Sequence, residues 1–225
     1  MAEARISDRA DAAGLGPAEH EVVTTRVAET EGLVDLSTET PIWERFFTVA
    51  PLVLVATKEG DRHNVAPKHL AMPIGWESYF GFVCSPSHAT YRNLEAHPEF
   101  TVSFPRTAGI LHATLAAGAR RDDRSKPTLS AIPVFPARKV DGVLVEGCGL
   151  YLECALDRVI DGFGENSVIV GRVVAAAAPR TALRGHDVDD ADLLHDLRPL
   201  VYLAPGRVAE VRETQAFPFP VDFRR

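Results

Sequence analysis

The sequence contains few cysteines, and their arrangement excludes two classes of protein. There are three, Cys84, Cys148 and Cys154, among 225 residues, and no CxxC pair occurs. An odd number at uneven spacing supplies neither a disulfide framework nor a zinc site. His63 and His69, six residues apart, do not fit a metal pair on a helix. We therefore predict structural thiols, a reducing compartment and no bound metal.

Blocks of one charge and long apolar runs are also missing. The chain has 24 Lys and Arg against 31 Asp and Glu, a net charge of −7, with no run of five like charges. A duplex-binding surface needs a basic stripe, so nucleic acid is not expected as a partner. The longest apolar runs, such as Pro51–Ala56, are too short to span a membrane, and residues 1–16 lack the apolar segment of a signal peptide. These absences predict a soluble, cytoplasmic protein.

Common catalytic signatures are absent as well. The chain has no GxxxxGK[ST], HExxH or GxSxG motif, and no HxE followed by PCxxC. Gly14-Leu15-Gly16 lacks the third glycine and the preceding strand of a dinucleotide loop, so we interpret it as an ordinary loop. We interpret His195-Asp196 as the end of a capped helix beside Arg198-Pro199 rather than as a catalytic dyad.

Composition divides the chain into three parts. Residues 1–39 are an acidic, partly helical extension, with a surface helix expected at Pro17–Glu31. Residues 40–211 carry the apolar runs of one folded domain, and residues 212–225 form a tail that alternates Phe and Pro. The domain begins with Thr40-Pro41, a hydroxyl followed by proline that predicts a helix start. Its predicted apolar face consists of Ile42, Trp43, Phe46 and Phe47.

Beyond Pro51, strand patterns follow one another with few helices between them. Predicted strands are Leu52–Thr57, Asn64–Met72, Tyr79–Cys84, Phe100–Phe104, Val143–Val159, Ser167–Ala177, Leu200–Leu203 and Val208–Val211. Helices are predicted at Ser85–His97 and Ile110–Ala119, the second followed by a charged loop, Arg120–Lys126. Because strand follows strand, we predict a mainly β antiparallel barrel rather than a doubly wound sheet.

Two neighbouring segments have the chemistry of a binding site. Asn64–His69 is small and polar, with Pro67 fixing its backbone, so its main-chain groups can hydrogen-bond a flat polar ring. Cys84–Asn93 runs from a strand into a helix, and its hydroxyls, free N–H groups and the cation Arg92 suit a phosphate. A structural alternative stays open, in which a hydroxyl of the second segment caps the helix and the cations are solvated. The residues concerned are Ser87, Thr90, Lys68 and Arg92.

In this order and spacing, the motifs resemble the flavin reductase-like family of FMN-binding split barrels. The family's N-x-A-P-x-S pattern and its T-x-x-N helix, followed by a phenylalanine-containing strand, have counterparts here, as do its LEC-x-V, iGeV and rPl..y strands. The matching residues are Asn64, Ala66, Pro67, Thr90, Asn93, Glu99–Ser103, Leu152–Leu156, Gly171–Val173 and Arg198–Tyr202. The likeness spans about Phe46 to Val211.

The resemblance implies a six-stranded antiparallel Greek-key split barrel with a few flanking helices, a homodimer, and one FMN for each subunit, with FAD also possible. Backbone contacts to the isoalloxazine would come from Asn64, Val65, Ala66 and Pro67. The phosphate would be held by Ser85, Ser87, Thr90, Arg92 and Asn93. A cation at Lys68 or His69 would stabilise reduced flavin, and Lys126 is a candidate for phosphate or nicotinamide.

One departure concerns the nicotinamide. Many reductases of this family have Gly-Asp-His before the iGeV strand, whereas here Gly164-Glu165 is followed by Asn166. Asparagine hydrogen-bonds but cannot become cationic, so Asn166 and His69 are the candidates for nicotinamide contact or flavin tuning. The resemblance implies hydride transfer from NAD(P)H to FMN, with reduced flavin supplied to an oxygenase or another acceptor. A flavoprotein oxidase or oxygenase that retains FMN for a small organic substrate, and a non-catalytic flavin-binding protein, remain alternatives.

Overall fold

The computed structural model describes residues 32–185 and 188–217. The chain divides into two units, residues 1–42 and 43–225. In the first unit, residues 32–41 form neither helix nor strand, and the surface helix expected at Pro17–Glu31 lies outside the described residues. In the second unit, residues 212–217 also form no helix or strand, and the rest of the Phe/Pro tail is not described.

Strands make up most of the described chain. They are β1 (Thr48–Pro51), β2 (Val53–Glu59), β3 (Arg62–Lys68), β4 (Ala71–Pro73), β5 (Tyr79–Cys84), β6 (Glu99–Phe104), β7 (Val134–Pro136), β8 (Val143–Val145), β9 (Leu150–Phe163), β10 (Asn166–Ala177), β11 (Leu200–Ala204) and β12 (Arg207–Glu210). The α-helices are α1 (Ala89–Ala96), α2 (Ile110–Ala116) and α3 (Asp190–Leu197). Short 3-10 turns occur at Ile42–Glu44, Thr107–Gly109, Pro127–Ala131 and Arg180–Ala182.

The main sheet has seven strands in the order β3-β2-β6-β9-β10-β5-β4, and all its pairs are antiparallel. Smaller sheets are formed by β1-β11-β12 and by β7-β8. The mainly β prediction is confirmed, with seven strands in the main sheet rather than six. The predicted strand Val143–Val159 is two strands, because the turn between β8 and β9 contains Gly147 at φ +75°.

Strand β2 separates two hydrophobic clusters. Val53 and Val55 belong to the first, with Phe82 and Phe100 among its other members. Leu52, Leu54 and Ala56, by contrast, belong to the second, which includes α2 residues. Successive side chains of a strand point to opposite faces. Because both faces of β2 are covered, its residues form one apolar run rather than an alternating pattern.

The helix predicted to start at Thr40-Pro41 is wrong. The chain there makes a single 3-10 turn, Ile42–Glu44, and Trp43 and Phe47 are each 63% exposed. A short helix is stable in water chiefly when one face is packed, and these apolar side chains have no covered face to pack into. The other helix-end interpretation is confirmed, because His195-Asp196 lies near the end of α3, which stops at Arg198 with φ 47°.

All three cysteines are free and buried. Burial raises the pKa of Cys148 and of Cys154 to about 12, so both stay protonated thiols at neutral pH. No helix among the described residues is long and apolar enough to cross a membrane.

A close approach between β10 and the first cluster yields a stability prediction. A Cβ at Gly171 would lie 2.5 Å from two ring atoms of the buried Phe100 and 3.1 Å from Cβ of Cys154. We expect Gly171→Ala to lower the free energy of unfolding by about 1–3 kcal/mol, because the ring has no free space to move into. Urea denaturation measures this loss.

Gly185→Ala is the matched control, because no atom lies within 4 Å of a Cβ at that position. Its unfolding midpoint should stay close to that of the wild type. Equal midpoints for the two variants would contradict the packing argument.

Candidate active site

The candidate site begins at β3, which forms one edge of the main sheet. Register with β2 places Asn64 opposite Thr57 and Lys68 opposite Val53. On the outer side, the Lys126 ammonium donates to the carbonyl oxygen of Val65 at 3.0 Å. Pro67 has no N–H to donate, which suits an edge strand. The main chain of the predicted ring-binding segment is therefore partly free of the sheet ladder.

A cleft of about 540 Å³ lies between β3, the start of α1 and the segment that follows α2. We call it the cationic cleft. Eight predicted site residues line it: Asn64, Ala66, Pro67, Lys68, Ser87, Thr90, Arg92 and Lys126. Further lining residues, not predicted, are His88, Ala89, Ala116–Ala119 and Arg120. Two segments about 20 residues apart in sequence and a distant loop thus meet at one place.

The helix start in the cleft lacks a side-chain cap. The N-cap residue of α1 is His88, and the described part of the chain shows no side-chain cap hydrogen bond at this end. The alternative in which Ser87 or Thr90 caps this helix is therefore wrong. The hydroxyls of Ser85 and Ser87 lie 2.8 Å apart and hydrogen-bond each other. First-turn N–H groups remain available, and such groups favour an anion.

Four cationic side chains line the cleft: Lys68, Arg92, Arg120 and Lys126. Lys68 is not solvated, because it is 8% exposed and its Nζ lies 3.2 Å from Sγ of Cys84. Arg92 is exposed and donates to the carbonyl of Ser87. Among the described carboxylates, Glu59 alone pairs with one of the four, Arg120. The cleft therefore carries an excess of positive charge.

Arg120 is the site residue that sequence reasoning missed. Its Nη2 lies 3.0 Å from Oε2 of Glu59 and 2.9 Å from Oδ1 of Asn64, so it joins the loop after α2 to β3. Its position in the same charged loop as Lys126 was the available signal. Sequence alone does not distinguish Arg120 from Arg121 and Arg124, because the path of the loop backbone in the folded protein decides which of these side chains faces the cleft.

Lys126 is half-buried in the wall of the cleft. Its ammonium donates to the carbonyls of Val65 and Ala116. Burial lowers the pKa of Lys126 to about 8, with repulsion from Arg120 and Lys68 adding to the effect and Glu59 opposing it. A bound anion would supply the missing opposite charge and raise that pKa again.

Three other predicted residues act inside the protein or lie beside the cleft. The side chain of Val65 belongs to the second hydrophobic cluster, so only its backbone is available to a ligand. Nδ2 of Asn93 donates to Oγ1 of Thr57 at 2.9 Å and connects α1 to β2. Ser85, next to the cleft, hydrogen-bonds Ser87.

His69 and Asn166 do not line the cationic cleft. The imidazole of His69 stacks on Tyr202 with ring centroids 4.2 Å apart and lines a separate apolar groove of about 360 Å³. Burial, and to a lesser extent Lys68, lowers the pKa of His69, so its neutral form is favoured. Asn166 is exposed at the β9–β10 hairpin, paired with Phe163. Within the described residues, no cluster of three or more His, Cys, Asp or Glu side chains could hold a metal.

Fold and cleft together describe an antiparallel β protein with a cation-lined cleft at a sheet edge, an arrangement found among flavin-binding oxidoreductases. A family model described as "Flavin reductase like domain" matches residues 46–210. That range covers most of the chain, and this protein belongs to the flavin reductase-like family. The predicted family is confirmed, and with it an oxidoreductase that uses a flavin.

Solved structures of the same fold support the assignment of the split barrel. Nitrilotriacetate monooxygenase component B from Bacillus cereus has a TM-score of 0.72 at 16% identity, covering 84% of this chain and 100% of that one. Flavoredoxin of Desulfovibrio vulgaris has a TM-score of 0.68 at 20% identity, covering 84% and 99%. An NADH:FAD oxidoreductase from Streptomyces globisporus has a TM-score of 0.62 at 16% identity, covering 80% and 96%.

The lowered pKa of Lys126 predicts a pH dependence of stability. Between about 8 and its usual value of 10.5, Lys126 is neutral in the folded chain and protonated in the unfolded chain. The unfolded state then binds more protons, so the free energy of unfolding rises with pH in this window relative to Lys126→Met. Urea midpoints of both proteins across the window test this.

The exposed Lys139 provides the control. The urea midpoint of Lys139→Met should change with pH in the same way as that of the wild type. A difference in midpoint between the wild type and Lys126→Met that does not change with pH would contradict the lowered pKa of Lys126.

The same pKa predicts a pH dependence of anion binding. Inorganic phosphate should bind more tightly at about pH 7 than at about pH 9.5, because the protonated ammonium of Lys126 holds it.

Proposed function

We propose that this protein is a flavin reductase that transfers a hydride from NAD(P)H to FMN and supplies the reduced flavin to an oxygenase or another acceptor. The observation that carries the proposal is the excess of positive charge in the cationic cleft of a flavin reductase-like domain. Its donor set fits the phosphate ester of a flavin, because several cations, a hydroxyl and an uncapped helix start line the same cleft.

Arg92, Arg120 and Lys126 would hold the phosphate, assisted by Ser87 and the first turn of α1. The presence of these three cations in one cleft favours FMN over FAD, because the terminal phosphate of FMN is a dianion. The guanidinium of Arg120 is already held by Glu59 and Asn64. Binding of the phosphate would therefore cost less side-chain conformational entropy than it would with a freely moving arginine.

The backbone of Asn64–Pro67 would orient the ring beside this phosphate site. Lys68 directly follows that segment in the chain, and its burial keeps water from screening its charge. When bound, FMN supplies the two-electron acceptor for the hydride of the nicotinamide. Lys68 would then stabilise negative charge on the reduced ring. His69, favoured in its neutral form, faces the apolar groove and would contribute contact rather than charge.

A homodimer is part of the proposal. Strand β4 forms the other edge of the main sheet, and its surroundings expose large apolar side chains: Val49, Leu70, Met72 and Trp76 are 54–78% exposed. An exposed apolar edge of this kind favours burial against another surface. Light scattering of the full chain measures its mass directly, and a monomer at micromolar concentration would contradict this part.

Reduction of FMN in the absence of air tests the activity. The purified protein with FMN should lose its visible absorption on addition of NADH or NADPH much faster than free FMN does. The faster donor identifies the preferred nicotinamide. A bound flavin that neither donor reduces would favour a flavoprotein acting on an organic substrate, the role that the Asn166 departure suggests. Failure to bind FMN would contradict the proposed FMN reductase activity.

Arg120→Gln tests the phosphate contact. We expect this variant to bind FMN about tenfold or more weakly, because a charge-assisted hydrogen bond is lost. Riboflavin, which has no phosphate, should bind the variant and the wild type equally. Fluorescence quenching of each flavin measures both affinities.

Arg121→Gln is the matched control, since Arg121 is exposed and does not line the cleft. It should leave both affinities unchanged. Equal losses of FMN and riboflavin affinity in Arg120→Gln would show that Arg120 supports the loop instead of the phosphate.

A further inference from the structure

Arg106 has two buried donors without partners. It follows β6, and its Nε and Nη2 are removed from solvent and make no hydrogen bond. Among the described residues, no carboxylate forms an ion pair with it; Glu210, nearby in the fold, is engaged by Thr107 and Arg212. A guanidinium keeps its charge when buried, so unpaired donors of this kind are costly to the folded state.

The same side chain lines an apolar cavity of about 310 Å³. The cavity lies between the end of β6, the start of β9, the segment after β10 and the end of α3. Its walls are largely aliphatic and aromatic: Leu52, Phe104, Leu150, Leu183, Leu197 and Leu200. It shares no lining residue with the cationic cleft. A cavity of this size accommodates a small organic molecule.

Gly149 packs closely against the guanidinium and leaves no room for a side chain there. A Cβ at Gly149 would lie 3.4 Å from Nε of Arg106 and 3.1 Å from Cδ1 of Leu197. Any larger side chain would fill the corner where the unpaired donor and the apolar wall meet. The second arginine of this cavity, Arg184, already makes two hydrogen bonds to Asp190 and is largely exposed. Of these two arginines, Arg106 is therefore the one that can pair with an anionic ligand in the cavity.

We propose that this cavity binds a small monocarboxylate with an apolar body, such as an aromatic acid, with Arg106 pairing with the carboxylate. The planar fork of a guanidinium matches the two oxygens of a carboxylate. A turn about the last torsions of the side chain presents the unpaired donors to the cavity it already lines. A phosphate ester is disfavoured, because its further charged oxygens would face aliphatic walls. This site is separate from the proposed flavin site and does not depend on it.

Titration calorimetry of the full-length protein with benzoate tests the proposal, with benzyl alcohol as the uncharged comparison. Benzoate should bind the wild type, and Arg106→Met should weaken that binding about tenfold or more. Without ligand, Arg106→Met should melt no lower than the wild type, since it removes an unpaired buried charge. A purely structural arginine would instead lower the melting temperature on removal.

Two further variants separate charge from shape. Arg184 lines the same cavity, but its guanidinium pairs with Asp190. The affinity of Arg184→Met for benzoate should therefore stay within about twofold of the wild-type affinity. Ala182→Phe fills the cavity while keeping Arg106, and should abolish binding. Neither this variant nor Arg106→Met should change FMN affinity. No benzoate binding to the wild type, equal binding to Arg106→Met, or equally tight binding of benzyl alcohol would overturn the proposal.

Discussion

The burial of β2 on both faces is the constraint on which the rest of the structure depends. Its alternating side chains enter two separate hydrophobic clusters, so the strand cannot shift register without emptying both. Two of the three walls of the cationic cleft are attached to this strand. Strand β3 pairs with it from Val53 to Glu59, and the bond from Asn93 to Thr57 connects α1 to the same strand. A core strand thus sets the geometry of a surface site.

Much of the fold could be predicted from local sequence patterns. The strand at Tyr79–Cys84 was located to the residue, and β6 and β10 to within one residue at each end, because apolar runs bounded by turn residues mark them clearly. The order of strands in the sheet was beyond local patterns, since it depends on pairings between distant segments such as β6 and β9. The helix at Thr40-Pro41 failed for a related reason: local start signals say nothing about whether a packing surface exists.

In the candidate site, the family motifs together with the local chemistry identified eight of the fifteen residues that line the cationic cleft, but not the role of each. Asn93 matches a motif position and bonds Thr57 in the interior. Likewise, Glu153 of the strand motif is buried, and its carboxylate accepts hydrogen bonds from the main-chain N–H groups of Arg138 and Lys139. A motif residue can therefore support the fold as much as the chemistry. Arg120, which no motif marks, reaches the cleft through tertiary packing alone.

The unbalanced cations of the cleft also bear on the lifetime of the protein in a cell. Mutual repulsion between Lys126 and its neighbours destabilises the chain as long as no anion balances it. A ligand that binds only the folded state adds about 1.4 kcal/mol for each tenfold rise in its free concentration above Kd. Proteases degrade the unfolded fraction, and that fraction falls as ligand becomes plentiful. Binding of the proposed anionic ligand would thus couple the steady-state amount of this protein to the supply of that ligand.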